Sequence, residues 1–195
     1  MSLRKQAKVL SKAQIEAVLG YLNSTRHPLR NRVIFLLSVK AGLRAKEIAS
    51  LTWDMVTDAD GKIGTAIRLE NRASKGNSGR IIPLNRDLKT ALQKLMDASA
   101  STHLPPFVCS TERRCYTVAQ CVVNMLARWY AHVGLVGCSS HSGRRTFITN
   151  AARKISTVGG SLRDVQMLAG HANLKTTQGY IDVDDGAQKR VVDLI

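Results

Sequence analysis

The sequence predicts a mainly helical α+β domain carrying one small antiparallel sheet. Three observations carry this. Apolar residues recur at helical spacing, behind recognisable capping residues, through both the first and the last thirds of the chain. Between residues 53 and 84 that period is lost, and short β-prone pieces alternate with Gly and Asn turns. At 195 residues and 44% hydrophobic content, the chain is long enough to bury a proper core as one domain.

Residues 1–10 form a basic lead-in. Ser11 and Gln14 read as a capping box, and Ile15, Val18, Leu19 and Leu22 give a helical stripe to about residue 23. Pro28 suits a first helical position, and Val33, Ile34, Leu36 and Leu37 mark a buried helix that Gly42 is placed to end. A short helix follows, packed through Leu43, Ile48 and Leu51. Arg44 stands at its start, where a cation gains nothing from the helix dipole. That mismatch points to another role for Arg44, and Glu47 is spaced to brace it. An ordinary surface ion pair is the plain alternative.

Residues 53–56, 65–69 and 80–83 are the expected strands of a three-stranded antiparallel sheet, with residues 74–79 as a tip carrying Lys75. Leu88, Leu92, Leu95 and Met96 mark a helix over about residues 85–97. A loop covers 99–106, and Phe107 and Val108 form a short extended piece. Thr117 is expected to cap a helix with Val122, Leu126 and Trp129 on its apolar face. Ser140 is expected to cap the next helix, which presents His141 and Arg144. Ser161 opens another that Gly170 stops, and Asn173 caps a last helix ending near Tyr180. Three acids, Asp182, Asp184 and Asp185, read as a solvated turn. The tail beyond carries Val191, Val192, Leu194 and Ile195.

With 29 Lys and Arg against 14 Asp and Glu, the formal charge is +15. An excess of this size points first to nucleic acid, where neutralised phosphates release counterions. Four cysteines stand at 109, 115, 121 and 138 with no CxxC pair, as expected of reduced thiols in a cytoplasm. A zinc site joining His103, Cys109 and Cys115 matches no structural zinc pattern. No apolar run approaches the length of a membrane span.

Chemistry concentrates in residues 141–180. His141 and Arg144 are three apart, so on a helix they share a face. A guanidinium matches two phosphate oxygens at once, and a histidine exchanges protons near neutral pH. A tyrosine hydroxyl becomes a covalent nucleophile when activated. Of the four tyrosines, only Tyr180 follows a Gly-His turn.

Five pieces occur in order: Ala41-Gly42-Leu43-Arg44-Ala45-Lys46-Glu47-Ile48, then residues 74–84 (SKGNSGRIIPL), His141-Ser142-Gly143-Arg144, Leu168-Ala169-Gly170-His171, and Thr176-Thr177-Gln178-Gly179-Tyr180. Together they resemble the tyrosine recombinase (phage integrase) family across nearly the whole chain. The resemblance implies the DNA breaking–rejoining catalytic fold over residues 11–185. It implies that Arg44 and Arg144 clamp the scissile phosphate, and that Lys75 protonates the leaving 5′ oxygen. By the same resemblance His141 assists proton transfer, His171 bonds a phosphate oxygen, Tyr180 is the nucleophile and Glu47 supports Arg44. Arg145, Lys46 and Arg80 are further candidates for DNA contacts.

The implied activity is site-specific recombination through a 3′-phosphotyrosine, with no metal or nucleotide cofactor. Implied partners are double-stranded DNA, a homotetramer on paired sites and an accessory DNA-bending protein, in a bacterial or phage-derived setting at the nucleoid. Relaxation of the type IB topoisomerase kind, or a non-catalytic DNA-binding regulator on the same fold, are the alternatives. Gly143 stands where many members have leucine and Arg145 where many have histidine; both read as tolerated variation. Many members carry a core-binding domain before the catalytic one. About ten residues precede the first helix here, as expected of a single-domain recombinase or of a fragment. Residues 186–195 are expected to dock on a neighbouring protomer.

Overall fold

The computed structural model describes residues 7–74, 78–100, 105–110, 116–181 and 192–193. Helix α1 (Lys12–Leu22) starts at the expected capping box, with Ser11 Oγ accepting from Gln14 N and Gln14 Oε1 accepting from Ser11 N. Helix α2 (Pro28–Ala41) takes Pro28 at its first turn and ends at Gly42, whose φ of 65° suits a residue without a Cβ. Nine of its residues are buried, Asn31 and Ser38 among them, because α1, α4 and α6 all pack against it. A helix enclosed this way is apolar around most of its circumference, so it shows little amphipathic periodicity. Helix α3 (Ala45–Ala49) follows directly and packs on α5 (Ala119–His132).

Among the described residues the sheet has two strands where three were expected. Strand β1 (Ala66–Leu69) pairs antiparallel with β2 (Arg80–Pro83), with Ile67 opposite Ile82 and Leu69 opposite Arg80. The piece beginning at Trp53 is instead a 3-10 turn, Trp53–Met55. Its neighbours find partners elsewhere: Trp53 N donates to Pro106 O, Val108 N donates to Leu51 O, and Thr52 forms a single bridge with Phe107. The next turn closes on Asp58, whose Oδ1 accepts from the backbone of Asp60 and Lys62. The backbone of 51–53 is therefore satisfied without a place in the β1–β2 ladder.

Helix α4 (Arg86–Ala100) runs three residues past its expected end. Two expected caps differ. Thr117 is buried and donates to Cys109 O, leaving Val118 at the start of α5. Helix α6 (Ser142–Lys154) begins after His141 rather than at a Ser140 cap, and Ser142 Oγ accepts from Ser139 N. The N-terminal lead-in is tied down where Leu10 N donates to Thr146 Oγ1. Helices α7 (Leu162–Ala169) and α8 (Leu174–Gln178) open on Ser161 and Asn173 as expected, and Gly170 ends α7 at φ 61°. Asp182, Asp184, Asp185 and most of the tail lie outside the described residues.

Two cores result. The larger joins α1–α5 and the sheet; the smaller is Ile148, Val165 and Ala169, with Phe147, Leu162 and Tyr180 against it. They meet where α6 crosses α2, and Gly143 sets that crossing. A Cβ at 143 would meet Ser38 Oγ and lie 2.9 Å from Ser38 Cβ and 3.0 Å from Val39 Cγ1. Glycine here is thus a packing requirement of this chain, which corrects its reading as tolerated variation. Gly143→Ala is expected to cost about 1–3 kcal/mol, read as a melting temperature lowered by roughly 2–4 °C per kcal/mol. An unchanged melting temperature would show that α6 and α2 can separate freely.

Candidate active site

The C-terminal ends of α2 and α7 meet the N-terminal end of α6, and Arg144 lies between them. Its side chain reaches Gly42 O through Nη1 and Ala169 O through Nη2, both at 2.6 Å. A cation gains from helix C-termini, where carbonyls lack intrahelical partners. Arg144 is 3% exposed. Burial, and then the charge of Arg44, lower its pKa to about 10, which leaves it protonated at neutral pH.

Glu47 is fully buried and accepts four hydrogen bonds. Its Oε1 takes Arg44 Nη1 at 2.9 Å and Arg80 Nη1 at 3.0 Å; Oε2 takes Arg44 N at 2.8 Å and Arg80 Nη2 at 3.0 Å. Burial raises the carboxyl pKa, but hydrogen bonds and charge from Arg80 and Arg44 outweigh it and hold the group below its ordinary 4.5. The expected brace of Arg44 by Glu47 is therefore present. The Arg44 side chain stays 29% exposed, with Nη1 held by Glu47 Oε1.

Arg80 corrects its place among the DNA contacts. It shares the inward face of β2 with Ile82, its side chain is 5% exposed, and Nε donates to Leu168 O at 2.9 Å. Lys46 is exposed and its ammonium donates to Ser74 O at 3.3 Å, beside the hairpin. Lys75 lies outside the described residues.

His171 follows Gly170 in the turn after α7. Its Nδ1 lies 2.9 Å from Thr177 Oγ1, and its carbonyl accepts from Gln166 Nε2 at 2.9 Å. Burial, then the charges of Arg144, Arg44 and Arg80, pull its pKa from 6.5 to about 4, so the free site holds a neutral ring at pH 7. Tyr180 stacks on that ring, with centroids 5.4 Å apart and planes 25° from parallel. Thr149 Oγ1 donates to Tyr180 O at 3.1 Å, and the tyrosine rests on the smaller core. The Arg145 guanidinium carbon lies 5.6 Å from the centre of the Tyr180 ring, within cation–π range. Sequence reasoning placed Arg145 on DNA; its i+35 contact with Tyr180 leaves no local signal. His141 is exposed just outside α6, and its carbonyl accepts from Arg145 N, so it keeps its three-residue offset from Arg144.

The other tyrosines are differently placed. Tyr130 is 1% exposed, and burial raises its hydroxyl pKa. Tyr21 stacks on His132 at 3.9 Å, and Tyr116 is exposed near Phe107. Among the described residues, no group of three or more His, Cys, Asp or Glu is placed to hold a metal ion, and no helix is long and apolar enough to cross a membrane.

Three guanidiniums, the Glu47 carboxylate, a neutral histidine and a tyrosine thus gather on a mainly helical frame, and solved structures of recombinases carry the same fold. The chain aligns over its full length with 65% of XerA recombinase at TM-score 0.75 and 20% identity. It aligns over 98% of its length with 55% of XerH bound to difH substrate, at TM-score 0.71 and 20% identity. The chain belongs to the phage integrase family, whose sequence profile matches residues 8–187. It is 28% identical to tyrosine recombinase XerA of Thermococcus kodakarensis, over 92% of this chain and 60% of that protein. It is 30% identical to tyrosine recombinase XerC of Haemophilus influenzae (strain PittEE), over 92% of this chain and 59% of that protein. The chain thus spans about 60% of the length of these relatives.

Proposed function

We propose that the chain carries the catalytic machinery of a site-specific DNA recombinase that cuts and rejoins DNA through a covalent bond from Tyr180 to a 3′ phosphate. The charge balance around Arg144 is the observation that carries this reading. Arg44, Arg80 and Arg144 face the carboxylate of Glu47, so among the described residues this cluster holds two positive charges in excess. A phosphodiester brings one negative charge and gains a second as a phenolate attacks, so the excess matches the transition state better than the ground state.

In the proposed reaction, Tyr180 Oη attacks phosphorus and its proton passes to His141. The bond from phosphorus to O5′ breaks, and Lys75 gives that oxygen a proton. Arg44, Arg144 and the neutral His171 donate hydrogen bonds to the nonbridging oxygens. The phosphotyrosyl bond keeps the energy of the broken strand, so a 5′ hydroxyl can reverse the attack without ATP and join a new partner. The proposed partner is double-stranded DNA; among proteins of the same fold, the Tn1549 transposon integrase has been solved in complex with a circular intermediate DNA. The working form is a homotetramer on paired sites, with residues 186–195 docking between protomers and an accessory bending protein assisting.

The test uses a library of nicked suicide duplexes, with wild type and Tyr180→Phe compared on a denaturing gel. Wild type is expected to give a covalent protein–DNA band and Tyr180→Phe none, with equal DNA binding. Binding without a band from wild type would favour a DNA-binding regulator.

A further inference from the structure

We propose that Arg80 is a positioning residue that holds the two walls of the phosphate site in one frame, so that Arg44 and His171 address the same phosphate. This rests on the recombinase reading. One wall is the start of α3, where Arg44 is braced by Glu47; the other is the end of α7, from which His171 projects. Arg80 comes from neither. It stands at the head of β2, faces inward, and contacts both walls at once. Nη1 and Nη2 take the two oxygens of Glu47 at 3.0 Å each, and Nε takes Leu168 O at 2.9 Å.

Only a guanidinium fits this arrangement. Its planar fork matches a carboxylate while the Nε edge points a different way. A lysine ammonium at the same place reaches one wall or the other. The turn before His171 is fitted to the same group: a Cβ on Gly170 would lie 2.8 Å from Arg80 Nη1 and 3.0 Å from Cδ. Glycine at 170 therefore serves both the left-handed turn and the close approach to Arg80.

A plain structural ion pair would affect only stability. A positioning role adds a second signature, because Arg80 also sets the state of Glu47. Glu47 faces Arg44 at its own helix start, Arg80 from β2 and Arg144 from α6, and His171 faces the same three arginines. Lys46, on the same helix as Glu47, is turned to Ser74 O. Losing the two-point partner lets Glu47 take a proton more easily, which releases Arg44.

The experiment uses the whole chain with Arg80→Lys and Arg80→Met. Thermal melting, binding to the library of nicked duplexes and the single-turnover rate of covalent adduct formation are followed from about pH 5 to pH 8. Arg80→Lys is expected to fold and bind DNA, yet form adduct about 10- to 100-fold more slowly, the loss expected from a reacting frame displaced by about an ångström. Its rate should fall at a higher pH than that of wild type as acid is added, and Arg80→Met should fall higher still. If Arg80→Lys cleaves at the wild-type rate with the wild-type pH profile, or loses rate only in step with folded protein, the assignment is overturned. A wild type that forms no adduct overturns the recombinase reading, and this inference with it.

Discussion

Arg144→Ala is expected to slow covalent adduct formation by roughly 10²–10³-fold at saturating DNA, the usual loss when one preplaced donor to a developing oxyanion is removed. Among the described residues Arg144 bonds no carboxylate; it donates to two backbone carbonyls, Gly42 O and Ala169 O. A group held this way keeps its remaining N–H donors and most of its charge for an incoming phosphate. The same two bonds tie α2 to α7, so the variant also loses stability, and thermal melting separates the two effects. Arg144→Lys sharpens the comparison. It restores the charge but not the fork, and is expected to recover folding more fully than rate. A rate within about threefold of wild type in the alanine variant, once folding is matched, would remove Arg144 from the clamp.

Glu47→Gln carries the second large effect, on stability. The carboxylate is wholly enclosed, and it is the counter-charge held directly by Arg44 and Arg80. Removing one partner of a buried ion pair costs about 3–5 kcal/mol, because the charge left behind is uncompensated. For a chain of this size each kcal/mol lowers the melting temperature by roughly 2–4 °C. The pH dependence has a definite sign. Glu47 is depressed below its ordinary 4.5 in the folded chain, so its contribution is fully present above that value and is lost as pH falls through the folded pKa. Wild type and Glu47→Gln should therefore differ most near neutrality and converge in acid. A variant as stable as wild type at pH 7 would show that the carboxylate is not what balances these arginines.

The parts of this architecture that were legible in the sequence are local ones. Ser11 with Gln14, Pro28, Gly42, Ser161, Gly170 and Asn173 mark ends of helices through contacts a few residues long, and each stands where expected. The pairing of Arg44 with Glu47 was legible for the same reason, since it spans three residues. What was misread depends on distant partners. Thr117 has the chemistry of a cap, yet its hydroxyl serves Cys109 O. Arg80 was read as a DNA contact; Ile81 and Ile82 are adjacent and both apolar, so alternation alone does not say which of them faces inward. The structure exposes Ile81 and buries Ile82, which turns Arg80 toward Glu47, 33 residues away. Arg145 over Tyr180 and the Gly143–Ser38 contact are likewise long-range, and no pattern along the chain announces them.

Tyr180 is the proposed nucleophile that becomes bonded to the DNA phosphate, and the most direct measurement is to find the residue that carries the nucleotide. Covalent complex trapped on nicked duplexes would be digested with nuclease and protease, and the adducted peptide sequenced by mass spectrometry. The account predicts a nucleotide on Tyr180, the tyrosine that stacks on His171 and lies beside Arg145. A nucleotide on Tyr21, Tyr116 or Tyr130, or on a residue of another type, would contradict it.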